Sequence, residues 1–149
     1  MDRSYFKHRT QLWVRNHEVD WQAIVHNAVY LQYFEVGRME YLRGLEIDGT
    51  SIRDHDRIVL ARNEINYRSP ARFGDSLNIL TRISCIRNTS FTFEGLIEDG
   101  KTARLISENL AIHVWLDPVS GEPATVTDEF RRKVREFEGE HADIRGSDF

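Results

Sequence analysis

The sequence offers almost no sulfur chemistry. Its only cysteine among 149 residues is Cys85, which excludes an internal disulfide and a zinc site built from several cysteines. A cysteine nucleophile needs a nearby group that favours the thiolate, and nothing in the strand-like sequence around Cys85 suggests one. We therefore interpret Cys85 as a residue of a strand or of the core.

Long apolar runs and basic clusters are missing as well. No apolar run approaches the roughly 20 residues that span a bilayer, and the first residues, MDRSYFKHRTQLW, lack the apolar stretch of a signal peptide. We therefore expect a cytosolic (cytoplasmic) protein with no membrane partner. The formal net charge is −4 and the basic residues are dispersed, so the electrostatic footprint of a nucleic-acid-binding protein is absent.

The length and composition indicate one globular domain. Apolar residues make up 40% and charged residues 30% of the 149 residues, a mixture that fills one core and covers one surface. We predict a single domain over residues 8–138, followed by a polar tail over residues 139–149 that frays.

One long helix is predicted from Ala28 to Arg43, because Tyr30, Phe34 and Tyr41 recur at helical spacing. Gly37 falls on the same row. A glycine inside a helix costs about 1 kcal/mol relative to alanine, so we expect its missing side chain to let the helix approach a sheet closely.

The ends of this helix carry their own signals. Asn27 is a candidate N-cap, because its side chain can accept a hydrogen bond from a free N–H of the first turn. Gly44 is a candidate stop signal.

Alternation with a period of two predicts the other main elements. It runs from about His8 to Val19 and then, after Gly49, through four segments between Ile58 and Val114. Short turns such as Asp99-Gly100 predict antiparallel pairing of successive strands in a meander. A short amphipathic helix follows, from about Thr127 to Glu138. The predicted class is α+β, and the open edges of such a sheet predict a dimer.

The stretch before the long helix holds the candidate chemistry. Asp20, His26 and Asn27 precede the helix start, where backbone N–H groups are free and carry the positive end of the helix dipole. Such donors stabilise the oxyanion of an acyl-transfer reaction, and a carboxylate can attack a thioester or activate water. The two parts of a hydrolytic site without a metal can therefore meet here.

Each of these residues also has a purely structural interpretation. Asp20 can cap a turn, and His26 and Asn27 can simply begin the helix. Glu35 can lie on a solvated helix surface or at a subunit interface. The Gly-x-Ser-x-Gly elbow, the P-loop and the dinucleotide fingerprint are all absent from the sequence.

Two stretches carry a family resemblance. They are VDWQAIVHNAVYLQYFEVGRMEYLR and INYRSPARFGDSLNILTRISCIRNTSFTF. Together they resemble the thioesterases of the 4-hydroxybenzoyl-CoA and YbgC-like hotdog group, and more distantly the acyl-acyl carrier protein thioesterases. The resemblance runs from about Leu12 to Pro123. It implies the hotdog fold, an antiparallel β-sheet wrapped around one long central helix.

The resemblance also implies an activity and its residues. Asp20 matches the catalytic aspartate of the family, and the N–H of Asn27 matches the amide that polarises the thioester carbonyl. Arg87 and Ser90 match a turn that contacts the nucleotide end of CoA in some members. The implied enzyme is an acyl-CoA hydrolase that forms a homodimer or homotetramer. From the residues near the motif we expect a medium-chain, long-chain or aromatic acyl group, and a reaction without a metal or cofactor. An acyl carrier protein stays an alternative donor.

The resemblance has two departures in the acyl region. Many relatives have glycine at the position of Ala23, and Ile24 replaces the histidine or valine found there. We expect Ile24, Tyr30 and Phe34 to form an apolar wall for the acyl group.

Two other functions stay as alternatives. Enoyl-CoA hydratases of the same fold resemble Asp-x-Asn-Pro-x-His, whereas Asp20 and His26 lie one position further apart and Gln22-Ala23 replaces Asn-Pro. A non-catalytic acyl-CoA-binding protein would keep the pocket and lose the carboxylate, but Asp20 is present.

Overall fold

The fold is one antiparallel sheet packed against one long helix. The computed structural model describes residues 1–46 and 57–145. Among these residues the strands follow the order β1-β3-β4-β5-β2, with a short β6 beside β3. The elements are β1 (His8–Trp13), α1 (Asn27–Gly44), β2 (Ile58–Tyr67), β3 (Ser76–Ile86), β4 (Ser90–Asp99), β5 (Leu105–Trp115), α2 (Asp128–Glu138) and β6 (Asp143–Ile144).

The predicted meander is correct for β3, β4 and β5 but wrong for β2. Instead of lying beside β3, β2 pairs antiparallel with β5, from Ile58 opposite Trp115 to Tyr67 opposite Ser107. β1 occupies the position beside β3. The physical reason is that alternating apolar residues identify a strand but not its neighbour. β1 and β2 are therefore the two edge strands.

The first strand is shorter than predicted. β1 ends at Trp13, and Asn16–Glu18 forms a turn of 3₁₀ helix instead of extended chain. The Glu18 carboxylate causes this turn, because its Oε1 accepts the backbone N–H of Arg15 at 2.7 Å. The predicted alternation is confirmed, since Val14 is buried while Trp13 is exposed.

The middle of α1 lies directly on the sheet at Gly37. A Cβ atom built there would lie 2.6 Å from Oγ1 of Thr81 and 2.7 Å from Cγ2 of Ile79. These distances are too short for any real Cβ, so the close approach predicted from the sequence is confirmed. A second glycine serves the same contact, because the Phe34 ring lies where a Cβ of Gly95 would be, at 2.7 Å.

The core consists of two clusters along α1. One surrounds the first turns of the helix and includes Tyr30, Tyr33 and Phe34. The other surrounds its last turns and includes Tyr41, together with Phe130 and Val134 from α2. The apolar stripe predicted for the second helix is thus confirmed. Full burial of each large apolar side chain contributes about 1.5–3 kcal/mol to the free energy of unfolding.

The helix start is displaced by one residue from the prediction. His26, not Asn27, is the N-cap of α1, because its Nδ1 accepts the N–H of Ala28 at 3.1 Å. Asn27 is the first helical residue. The helix ends at Gly44 as predicted, but the left-handed residue after it is Glu46, with φ of 52°.

Residues 139–145 are ordered, which makes the prediction of a frayed tail wrong for this part. Asp143–Ile144 pairs parallel with Cys85 and Ile86 of β3, and Tyr5 stacks on His141 with ring centroids 4.2 Å apart. Residues 146–149 lie outside the described ranges. Cys85 is a strand residue, as predicted. Neither α1 nor α2 is long and apolar enough to cross a bilayer.

We predict that Gly37→Ala destabilises the protein. The added methyl group must displace Thr81 or Ile79, and overpacking of this kind costs about 1–3 kcal/mol. The matched control is Gly44→Ala on the same helix, where nothing lies within 4 Å of the new Cβ. Urea unfolding should show a lower free energy of unfolding for Gly37→Ala only. Equal stability of the two variants would contradict the close helix–sheet contact.

Candidate active site

The loop between β1 and α1 folds into a tight turn around Asp20. Its backbone N–H donates to the carbonyl of Ile24 at 2.8 Å, and the N–H of Ala23 donates back to the carbonyl of Asp20 at 3.0 Å. Ala23 adopts a φ of 63°, a left-handed conformation that glycine reaches without strain. This conformation explains why a glycine suits the position.

A neighbouring segment holds the turn in place. The N–H of Val25 donates to the carbonyl of Ala71 at 2.9 Å, and Ile24 forms a bridge with Arg72. The N–H of Ala71 in turn donates to the hydroxyl of Tyr30 at 3.1 Å. Residues 19–25, residues 71–72 and the first turn of α1 therefore form one connected unit.

The buried carboxylate of Glu18 stabilises this unit. Glu18 accepts hydrogen bonds from the Arg15 guanidinium at 3.1 Å and the Tyr33 hydroxyl at 3.0 Å. Burial raises the pKa of Glu18, but the hydrogen bonds from Arg15 and Tyr33 outweigh it and lower the pKa below its usual value. The carbonyl of Glu18 also accepts the N–H of His26. Glu18 was not predicted from the sequence, because an isolated glutamate before a helix has no distinctive pattern.

The Asp20 carboxylate keeps one oxygen free. Oδ1 accepts the N–H of Gln22 at 2.7 Å, while Oδ2 accepts no hydrogen bond from any described residue. The side chain is half-buried. Asp20 therefore caps its own turn with one oxygen and presents the other as a free acceptor. The capping role and a chemical role of the carboxylate are compatible.

The N–H of Asn27 is also free. It donates to no described residue, whereas the carbonyl of Asn27 accepts the hydroxyl of Tyr67 at 3.0 Å. As the first residue of an 18-residue helix, Asn27 has an N–H without an intrahelical partner, at the positive end of the helix dipole. His26 uses its Nδ1 for the N-cap, so its cap role is observed.

Both groups line one pocket of about 580 Å³. Its walls come from the Asp20 turn, the start of α1 and the end of β2. They comprise Asp20, Gln22, Ile24, Val25, His26, Asn27, Tyr30, Tyr67, Arg68, Ser69 and Pro70. The wall formed by residues 67–70 was not predicted from the sequence.

Other predicted residues lie elsewhere. Ile24 and Tyr30 line the pocket as expected, but Phe34 is 2% exposed and packs in the core over Gly95, so its assignment to the acyl wall is wrong. Helical spacing places Phe34 on the buried face without distinguishing core from pocket. Glu35 is exposed and does not line this pocket.

Arg87 and Ser90 lie at the opposite end of the sheet from Asp20. They close the turn between β3 and β4, where the N–H of Arg87 donates to the carbonyl of Ser90 at 2.8 Å. The length of β3 separates this turn from the Asp20 pocket by about 33 Å. The Arg87 guanidinium is paired with Asp143 at 3.2 Å. Within one chain these residues and Asp20 do not come together.

The arrangement suits attack on an activated carbonyl. A carboxylate oxygen can remove a proton from water or attack directly, and a helix-start N–H can stabilise the resulting oxyanion. Within the described ranges, no three histidine, cysteine, aspartate or glutamate side chains come together as metal ligands.

Known proteins resemble this chain in sequence and in fold. The thioesterase-like superfamily matches residues 14–134. The chain is 30% identical over 131 residues to the chloroplastic acyl-acyl carrier protein thioesterase ATL3 of Arabidopsis thaliana, covering 87% of this chain and 68% of that protein. It is 28% identical over 107 residues to the acyl-CoA thioester hydrolase YbgC of Escherichia coli, covering 71% and 79%.

A solved thioesterase structure has a similar fold. A thioesterase from Thermus thermophilus, complexed with coenzyme A and Zn, superposes with a TM-score of 0.80 at 28% identity, covering 90% of this chain and 96% of that one. The sheet and its central helix are thus those of the hotdog fold. Because the family match covers most of the chain, including the Asp20 turn and α1, the chain belongs to the thioesterase-like superfamily and is a thioester hydrolase.

Proposed function

We propose that the chain hydrolyses acyl-CoA thioesters with Asp20 and the N–H of Asn27. The observation that carries this proposal is that the free carboxylate oxygen and the free N–H line the same pocket. The N–H of Asn27 stabilises the charge that develops on the thioester oxygen. Asp20 either removes a proton from the attacking water, or attacks the thioester itself to form a mixed anhydride that water then hydrolyses to the free acid. In both routes the water that is consumed supplies the proton with which CoA leaves as the thiol.

The pocket lining supports an apolar acyl group. Ile24, Val25, Tyr30 and Pro70 contribute apolar surface, and burial of a hydrocarbon gains about 0.8 kcal/mol per methylene. We therefore propose medium-chain, long-chain or aromatic acyl groups, in preference to acetyl. The names of the relatives include both acyl-CoA and acyl-acyl carrier protein thioesterases, so an acyl carrier protein is the alternative donor.

We also propose a homodimer in which β2 pairs with its counterpart. The outer edge of β2 pairs with no other described strand, and such an edge is a template for a second sheet. A two-fold axis would place the two β2 strands antiparallel. A dimer of such dimers would give the predicted homotetramer. The predicted cytosolic location stays a prediction.

This pairing would give Arg87 and Ser90 a role. Tyr67, at one end of β2, lines the Asp20 pocket. Ile58, at the other end, pairs with Trp115, whose N–H donates to the carbonyl of Thr89 beside Ser90. Antiparallel pairing of two β2 strands therefore brings the Arg87–Ser90 turn of one copy towards the Asp20 pocket of the other. There, Arg87 and Ser90 can bind the phosphates of CoA.

We predict that Asp20→Asn lowers kcat/KM for acyl-CoA hydrolysis by about a hundredfold or more, as expected when a general base or nucleophile is removed. The amide keeps the acceptor for Gln22, so stability should be nearly unchanged. Thiol release, measured with a thiol-reactive dye, reports the activity.

The matched control for this loss is His26→Asn. Asparagine is a good N-cap, so this variant should stay active if His26 only caps α1. Near-normal turnover by Asp20→Asn would refute the assignment. Loss of activity in a folded His26→Asn would instead support the hydratase-like pairing of Asp20 with His26.

A mixing experiment tests whether each site uses two chains. Asp20→Asn and Arg87→Ala should both be impaired as homodimers. After unfolding and refolding together, they should recover roughly a quarter of wild-type activity, because half of the dimers are mixed and each of those has one intact site.

The control for Arg87 is Asp143→Ala, which removes its ion pair and keeps the cation; this variant should bind CoA normally. No recovery in the mixture would mean that the site does not combine Asp20 and Arg87 from two copies. A monomer by light scattering that is fully active in the thiol-release assay would also refute the dimer.

The proposed reaction needs only a carboxylate, water and a backbone donor, so we predict that it does not depend on a metal. Dialysis against a strong chelator should leave the rate of thiol release unchanged, with a zinc hydrolase treated in parallel as the control. Loss of activity that added zinc restores would overturn the metal-free mechanism.

A further inference from the structure

A second cavity of about 510 Å³ lies beside α1. Asn27 and Tyr30 line the first, while Leu31, one turn after Asn27, begins the second. The second cavity continues between α1 and the strands β2, β4 and β5. Its apolar walls are Leu31, Met39, Leu42, Ile58, Leu60 and Phe93.

Arg38 is a buried cation on the wall of this apolar cavity. It is 8% exposed, and no described carboxylate lies within ion-pair distance. Its Nη1 donates to Oδ1 of Asn109 at 3.2 Å, which is its only hydrogen bond to a described residue. A guanidinium has five N–H donors, so most of those in Arg38 bond to no described residue.

The surroundings hold Arg38 in this position. The amide of Asn109 donates to Oδ1 of Asn63 at 2.5 Å and to the carbonyl of Glu64 at 2.8 Å, so its oxygen is directed at Arg38. Burial lowers the pKa of Arg38, and the charge of Glu35, also on the cavity wall, opposes this effect. The guanidinium stays charged, because an arginine does not deprotonate in a protein.

His113 lines the same cavity. Its ring stacks on Phe91 with centroids 5.5 Å apart, and its buried Nδ1 has no hydrogen-bond partner among the described residues. Burial and the charge of Arg38 lower the pKa of His113 to about 4, so the imidazole is neutral at neutral pH. A ligand in this largely apolar cavity can therefore accept hydrogen bonds from the Arg38 guanidinium.

We propose that this cavity receives the far part of the acyl group and that Arg38 selects acyl groups with a neutral oxygen there, a hydroxyl or an oxo group. This inference rests on the proposed function. From Asn27 to Arg38, α1 rises about 16 Å, and a helical side chain points back towards the helix start. The oxygen must therefore be remote from the thioester. The nearby carboxylate of Glu35 favours a neutral oxygen over a second carboxylate.

Matched pairs of substrates test the proposal. Decanoyl-, dodecanoyl- and tetradecanoyl-CoA are each compared with the ω-hydroxy acyl-CoA of the same length. For the length that reaches Arg38, kcat/KM should be about tenfold or more higher for the hydroxylated substrate, because a site built to bind a hydroxyl rejects the analogue that lacks it. Arg38→Met should remove this preference. Arg43→Met, an exposed arginine on the same helix, should keep it.

Binding separates this inference from the proposed function. The Kd of each substrate pair for Asp20→Asn, measured by calorimetry, should show the same preference whether or not the wild type turns the substrate over. If the hydroxylated substrates bind preferentially but the wild type releases no thiol, only the proposed hydrolysis of acyl-CoA is refuted, and the role of Arg38 stands. Equal or weaker binding of every hydroxylated acyl-CoA would overturn the role of Arg38, as would an unchanged preference in Arg38→Met. The wild-type comparison decides the question even if that variant does not fold.

Discussion

The structure depends on how closely α1 lies against the sheet. Gly37 lets the helix backbone touch Ile79 and Thr81 of β3, and Gly95 leaves space for the Phe34 ring. A helix held at this distance cannot slide or rotate without a clash, because packed interiors have no spare volume. The position of the helix start, and hence of the N–H of Asn27, is therefore fixed by two glycines that are not part of the site.

The candidate site presents polar groups that form no hydrogen bond with the described residues around them. Around the Asp20 turn, backbone and side-chain groups bond to one another through Ala71, Glu18 and Tyr30. One oxygen of Asp20 and the N–H of Asn27 bond to no described residue. Arg38, on the wall of the second cavity, resembles these groups, because most of its donors bond to no described residue. Unused polar groups in an otherwise saturated region are expected where a ligand binds.

Local patterns predicted the local structure well. The helical row with Gly37, the turn at Asp99-Gly100 and the stripe of α2 were all readable, because each depends on residues close in sequence. Long-range features were not readable. Alternation could not place β2 beside β5, and the polar composition of residues 139–145 concealed their pairing with β3. In the candidate site, Asp20 and Asn27 were predicted from a motif. Glu18 was not, because a lone glutamate has no distinctive pattern, and Arg38 was not, because its partner Asn109 is distant in sequence.

The strand order also affects how the chain folds as it leaves the ribosome. β1, α1 and β2 emerge first, but their sheet partners belong to β3 and β5, which follow. The apolar face of α1 has no surface to cover until β3 and β4 are available, and β2 has no partner until Trp115 has been added. Such non-local pairing slows folding. β1, α1 and β2 therefore wait, with their apolar side chains unprotected, until the later strands that cover them have been made.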